Sequence, residues 1–468
     1  MQTMKDELWR LGAAQLAAGY RSGAFTPVDA LEACLARIAQ CQPAINAMVL
    51  VDADGARAAA QASSARWKAA APLGPLDGVP VNVKDNMHVA GMPTSWGSRL
   101  LQGFVAARDE LPVARLRSAG AVLIGKTNLP EFAMQGYTWN ALHGAARNPW
   151  NTAMTPGGSS GGAAAAVAAG CGPLALATDG GGSIRRPASH CGLVGFKPSA
   201  DMVPRGGGLP EIFLDYEVAG GIGRSVADVT ALTSVLAGRD LTAPVPYTAR
   251  ILFAPRFGDH PVDAGIAAQL AQAADRFAAL GHDVVRSEYF DLAEEINQRW
   301  SALSTAGLAW MMERVAAYPE FAAACSSGEE PELLLGDAAR ENLSAGRKLA
   351  PSALFETLAA VHTLKLRLRE VFSRYDAILT PATAALPWPA EQTHPDEIDG
   401  TAVGPRGHAI FTAFANAAGL PAIVLPTGLV EGMPTGLQLI GMQGRDAGLL
   451  ALAQQYEHAH PWLERLPM

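Results

Sequence analysis

Ser159 and Ser160 stand between Gly157, Gly158, Gly161 and Gly162, and Ser183 closes the run Asp179-Gly180-Gly181-Gly182. These serines are the residues of the chain best placed to do chemistry. Glycine is used where a chain turns tightly or lets another group come close, so both segments present their serines rather than wrap them. The run after Asp179 also offers successive N–H groups unobstructed by side chains, which can form a nest for an anion. A serine at the end of such a nest reads as a nucleophile whose attack creates an oxyanion where the N–H groups already point. Ser183 is therefore the candidate nucleophile, with Gly180, Gly181 and Gly182 as oxyanion donors. A single glycine-rich turn with a solvated serine would be ordinary. Two of them, joined by a small-residue helix over 163–169 and an apolar strand over 173–178, are not.

A lysine supplies the third group. Val79, Val81 and Val83 share one face of a strand expected over 79–83, which leaves Asn82 and Lys84 on the other. Lys84 can act as a base only when neutral, so burial must bring its pKa down from about 10.4 towards neutrality. Asp85 opposes that shift unless it points away.

At these residues the chain resembles the amidase signature family of serine hydrolases. GVPVNVKDN at 78–86, GAVLIGKTNLPEF at 120–132, GGSSGG at 157–162, ATDGGGSIRRPA at 177–188 and CGLVGFKP at 191–198 follow the family's order, as do GLPAIVLPTG and GMPTGLQLIG near the C-terminus. The resemblance spans nearly the whole chain and is weakest over 287–374. It implies an α/β fold: one large domain with a central twisted mixed β-sheet covered by helices on both faces. Residues 1–75 would be N-terminal helices, 76–240 the catalytic core and 285–375 a variable helical segment over the active site. Residues 376–468 would complete the core. Carried over residue by residue, it makes Ser183 the acyl-forming nucleophile, Ser159 a bridging serine after a cis peptide and Lys84 the base. It also sets residues 134–137, with Met134 and Tyr137, beside the acyl pocket, and makes Arg185 structural.

The activity so implied is hydrolysis of a carboxamide C–N bond through an acyl-serine. A small, largely apolar or aryl amide is the expected substrate, because glutamine would need a cation for its carboxylate and an acid for its amine, and neither is identifiable. The alternative is the glutamine-hydrolysing subunit of an aminoacyl-tRNA amidotransferase. Such subunits typically carry Thr in place of Gly180 and Gln in place of Arg186, and both departures count against it. Carbamate, urea-type or cyclic amide hydrolysis on the same three residues is a further alternative.

Other chemistries fit less well. Residues 120–127 match a phosphate-binding loop, but the intervening Ala-Val-Leu-Ile reads as a buried strand and Pro130 spoils the helix that should follow. Gly158-Ser-Ser160-Gly-Gly162 has the form of a nucleophile elbow, yet a second serine motif follows it instead of an Asp and a His. The ten histidines lack metal-ligand spacing, so no metal and no cofactor are expected. Net charge is −8 with no long basic run, which disfavours nucleic acid and anionic membrane. A small-molecule amide is then the expected partner, with a homodimer left open. Five widely spaced cysteines suggest a reducing, cytoplasmic setting, and neither a signal peptide nor a membrane span is indicated.

With 49% hydrophobic and 17% charged residues, the 468-residue chain has ample material for a core. Two helices are expected before Gln40 and one over 53–70. A strand–helix–strand unit follows from Ile251, mostly helix over 294–374, and then strands at 378–381 and 422–426 and a closing helix over 449–458.

Overall fold

Val81 and Val83 enter the core on one face of a central sheet together with Leu174 and Leu176. The side chains between them must therefore face the other way. There Asn82 donates to the Cys171 carbonyl at 3.2 Å, just past the helix Gly161–Ala168. Every residue of that helix is buried. Its Ala163, Ala164, Val167 and Ala168 pack on Ala175, Ala177 and Ile222, and side chains this small let the helix lie close to the strands. The face that carries Lys84 is thus the face that carries the serine segments.

The computed structural model describes residues 7–242, 248–287, 289–326, 328–462 and 467. Eleven strands form one mixed sheet: β1 (Met48–Val51), β2 (Pro80–Lys84), β3 (Val122–Thr127), β4 (Leu174–Asp179), β5 (Val194–Lys197), β6 (Val218–Gly223), β7 (Arg250–Phe253), β8 (Asp283–Arg286), β9 (Ala377–Pro381), β10 (Ala422–Val430) and β11 (Met433–Gly441). They run β1-β3-β2-β4-β6-β5-β10-β11-β9-β7-β8 across the sheet. Parallel pairing holds β3-β2-β4 and β9-β7-β8, and the remaining pairs are antiparallel. Helices Val226–Ala237, Ala264–Ala279 and Asp446–Ala459 cover the face opposite the serine helix, with Leu232, Leu270 and Leu450 in its core. The fold is the single α/β domain with a mixed sheet covered on both faces. No described helix is long and apolar enough to cross a membrane.

The two helices expected before Gln40 are Ala13–Ser22 and Pro27–Ile45, the second running past Gln40, and a short 3₁₀ turn at Leu8–Arg10 precedes them; residues 1–6 lie outside the described ones. Gly23, at φ +71°, ends the first helix, and Thr26 caps the second by accepting from the Asp29 N–H. Strand β6, VAGGIG, carries no strand signature because glycine is depleted in strands. Its glycines answer to packing: a Cβ on Gly220 would sit 2.3 Å from the Phe196 carbonyl oxygen of neighbouring β5.

Candidate active site

Lys84 Nζ lies 2.8 Å from Ser159 Oγ and 2.9 Å from Thr178 Oγ1, and both Lys84 and Ser159 are wholly buried. Burial brings the ammonium pKa down to about 7; the charges of Glu217 and Asp179 pull it back up, and Arg205 pushes it down. Asp85 turns away, into a 2.8 Å ion pair with buried Lys126 and hydrogen bonds from Ser95. The same pair disposes of the phosphate-loop reading, because Lys126 belongs to β3 and its ammonium is already engaged.

Thr178 is held from behind by Asn86 Nδ2 at 2.8 Å, which also donates to Glu217 Oε1 at 3.2 Å. Arg205 gathers Glu217, Glu110 and Glu211 around one guanidinium. The charge that most raises Lys84 is therefore itself partly neutralised. If neutral Lys84 is the working form, activity should rise with pH through about 7 and level off above it. Glu217→Gln removes the negative charge that favours the ammonium, so the rising limb should move to lower pH. A limb that stayed in place in a pH–kcat/KM profile would deny Glu217 that influence.

Ser159 follows a cis peptide at Gly158–Ser159. Gly158 is required by close approach: a Cβ there would stand 2.5 Å from the Tyr137 carbonyl oxygen. Ser160 is spent on structure. Its N–H donates to the Ser183 carbonyl at 3.1 Å and its hydroxyl to the Thr178 carbonyl at 3.1 Å, which ties the two serine segments together and removes the elbow reading.

The glycine run is wrapped around Asp179. Its carboxylate, held well below the usual range despite burial by Arg185 above all, accepts from the N–H groups of Gly182 at 2.7 Å and Ile184 at 3.0 Å. Gly182 therefore cannot offer that N–H to an oxyanion, which corrects the expectation for this residue. The carbonyl oxygens of the loop are pulled outward. Trp300 Nε1 donates to that of Gly180 at 3.0 Å, Thr412 Oγ1 to that of Gly181 at 2.6 Å, and the Arg186 N–H to that of Gly182 at 2.9 Å. In a trans peptide the N–H points opposite the C=O. The first and last of these contacts thus aim the N–H groups of Gly181 and Ser183 away from Trp300 and Arg186. Among the described residues no acceptor meets the N–H of Gly180, Gly181 or Ser183. Ser183 itself is 7% exposed, reached past the partly open Gly181. Gly182, at φ +115°, allows the turn, and a Cβ there would be 2.4 Å from Thr412 Oγ1.

Of residues 134–137, Tyr137 lies against Gly158 through its main chain, within 2.5 Å of where a Cβ there would stand. Tyr137 is buried behind Gly158, and Met134 and Tyr137 share a narrow cleft with Gly336, Ala339 and Asn342 at the helix Asp337–Lys348. Phe213 stacks on Trp300 at 6.4 Å, and Trp300, itself buried, touches the glycine loop through its indole N–H. The expectation that few charges are at hand is corrected. A Cβ on Gly136 would be 3.6 Å from Arg186 Nη1 and 2.6 Å from His408 Nε2, and burial, with the charge of Arg406 next, lowers the Arg186 guanidinium to about 9. Sequence reading missed Thr178, Glu217, Trp300, Arg406 and Thr412. Only Thr178 carried a local signal, standing directly before the run that opens at Asp179.

The amidase family profile matches residues 29–450. A glutamyl-tRNA(Gln) amidotransferase subunit from Symbiobacterium thermophilum is 35% identical over 96% of each chain. Among solved structures, a bacterial aryl acylamidase of the amidase signature family superposes with a TM-score of 0.87 at 28% identity, covering 97% of this chain and 96% of that one. A 6-aminohexanoate cyclic dimer hydrolase does so with 0.88 at 29% identity over 99% of both. The first relative overturns the expectation of a small-molecule amide as sole partner with no nucleic acid, since its name is that of one subunit in a tRNA-directed enzyme. Net charge describes only the surface of the chain that bears it. In an assembly, the lysines and arginines that neutralise phosphates can belong to another chain.

Proposed function

The chain belongs to the amidase family, and from that premise we propose that it hydrolyses a carboxamide through an acyl intermediate on Ser183. The observation that carries this reading is the 2.8 Å separation of Lys84 Nζ and Ser159 Oγ in a site that brings the lysine to about 7. Neutral Lys84 accepts the Ser159 proton while Ser159 accepts that of Ser183, whose Oγ attacks the amide carbon. The N–H groups of Gly181 and Ser183 meet the oxyanion. As the C–N bond breaks, Ser159 returns the proton to the leaving nitrogen, which departs as ammonia or an amine and not as an anion. Water then repeats the path and frees the acid.

The curated relatives support glutamine as the amide and this chain as the glutamine-hydrolysing subunit of an amidotransferase acting on a glutamyl-tRNA. They favour that alternative over a small apolar amide. A second reading, an aryl or cyclic amide, draws on the Phe213–Trp300 stack beside Gly180 and on the two solved neighbours. The test is kcat/KM for glutamine, an anilide and acetamide, together with affinity purification of the tagged chain from its own cells. Glutamine as the best of the three, with partner chains recovered, is expected. An anilide preferred by tenfold or more, with the chain recovered alone, would transfer the assignment to the second reading.

A further inference from the structure

We propose that Cys41 and Cys171 are a redox modification site, at which a hydroperoxide converts two buried thiols into a disulfide that staples the helix Pro27–Ile45 to the turn behind the serine helix.

The two Sγ atoms stand 3.1 Å apart, which leaves about 1 Å to close before bonding distance. The residues are 130 positions apart in the chain, so the fold makes this meeting and local sequence does not. Cys41 sits one turn before the end of its helix. Cys171 follows the serine helix Gly161–Ala168 and closes it, its N–H donating to the Ala166 carbonyl at 2.8 Å. Around the pair the two elements are already drawn together. Arg37 Nε donates to the Ala169 carbonyl at 2.7 Å, and Ile38, Cys41, Ala165, Ala169 and Cys171 share one apolar cluster.

Both thiols are buried, and access comes from the Cys41 side. Pro43 has no N–H to give the Ala39 carbonyl, which weakens the last turn of that helix, and Gln40, Pro43 and Ala44 around it are exposed. Opening of that turn admits a molecule the size of hydrogen peroxide. The chemistry has a direction. The hydrogen bond from Cys171, against burial, and then the charge of Arg37 lower the Cys41 thiol below its usual range, while the same bond and burial raise Cys171. Cys41, as the thiolate, attacks one peroxide oxygen; the O–O bond breaks, and the departing hydroxide takes up a proton as water. Cys41 is then a sulfenic acid. Cys171 attacks its sulfur, the S–O bond breaks, and the hydroxide leaves with the Cys171 proton as a second water. The two thiols lose two electrons and the peroxide gains them. Cys34, in the same cluster, is pushed up to about 12 by burial and stays a thiol. The closed loop contains Lys84 and Ser159, and Asn82, two positions before Lys84, donates to the Cys171 carbonyl at 3.2 Å, so the staple resists unfolding of the catalytic face.

The experiment uses the full chain carrying Cys325→Ala, which removes the exposed thiol. After equimolar hydrogen peroxide and digestion without reductant, the Cys41 and Cys171 peptides should be recovered joined, and dithiothreitol should part them. Tm should rise by about 5 °C on oxidation and return on reduction, and it should not move when Cys41→Ala is added. Peptides recovered unjoined, or Cys41 joined to a cysteine other than Cys171, would overturn the site. Joined peptides with an unchanged or lowered Tm would overturn the staple. Where the Cys41→Ala chain does not fold, the peptide map and the reversible Tm shift of the Cys325→Ala chain decide the matter alone.

Discussion

Ser183→Ala is expected to abolish amide turnover and labelling by a fluorophosphonate probe, while Lys84→Ala and Ser159→Ala each lower turnover by about a thousandfold or more. The three side chains would pass one proton along one path, so their losses should not multiply. The Lys84/Ser159 double variant should be scarcely slower than the worse single one. The fold should survive in each case. Among the described residues Lys84 makes no ion pair, and its loss takes a donor from Ser159 while Thr178 keeps that of Asn86, so no charge is stranded. Ser183 is small, and it is its main-chain carbonyl that meets the Ser160 N–H. Near-normal rates in Ser183→Ala, or labelling retained there, would remove the nucleophile from this position. Multiplying losses in the double variant would mean that Lys84 and Ser159 act on separate steps.

What the sequence makes visible here is what is local. Alternation along five residues puts Lys84 on the face opposite Val81 and Val83, and glycine on both sides of Ser159 marks close approach before any contact is known. What it hides are partners that meet only after the sheet is assembled. Trp300 reaches Gly180 across 120 positions and Thr412 reaches Gly181 across 231, and nothing in either neighbourhood distinguishes them from core residues. Gly182 shows the limit of composition. Three consecutive glycines offer three equivalent N–H groups on paper, but Asp179 takes one of them because its side chain folds back over the turn. Arg406 was illegible for the same reason: a guanidinium in a Gly-Pro-Arg-Gly loop reads as solvated until the fold buries its nitrogens. The partner expectation failed for a different reason, because composition counts the charges of one chain and an assembly distributes them.

Arg185→Met should cost the protein about 3–5 kcal/mol, a large fraction of the roughly 5–15 kcal/mol that keeps a domain folded. Both Arg185 and Asp179 are wholly closed to solvent. The guanidinium gives two bonds to Asp179, one to Gln438 Oε1 at 2.7 Å, one to the Thr412 carbonyl at 3.0 Å and one to Asn416 Oδ1 at 2.6 Å. Methionine fills the volume but leaves the carboxylate as an unpaired buried charge, and that stranded charge, not the lost attraction, sets the penalty. Lysine should not rescue it, since a single ammonium cannot meet acceptors arranged around a planar fork. The double variant Asp179→Asn/Arg185→Met strands no charge and should be more stable than Arg185→Met alone, although it loses more hydrogen bonds. Activity should fall in both, because the carboxylate also holds the N–H groups of Gly182 and Ile184 on either side of Ser183. Urea unfolding of the four proteins in this cycle measures the coupling. A single Arg185→Met variant within about 1 kcal/mol of wild type would mean that water or a shifted side chain reaches Asp179, and that the loop carrying the nucleophile does not depend on this pair.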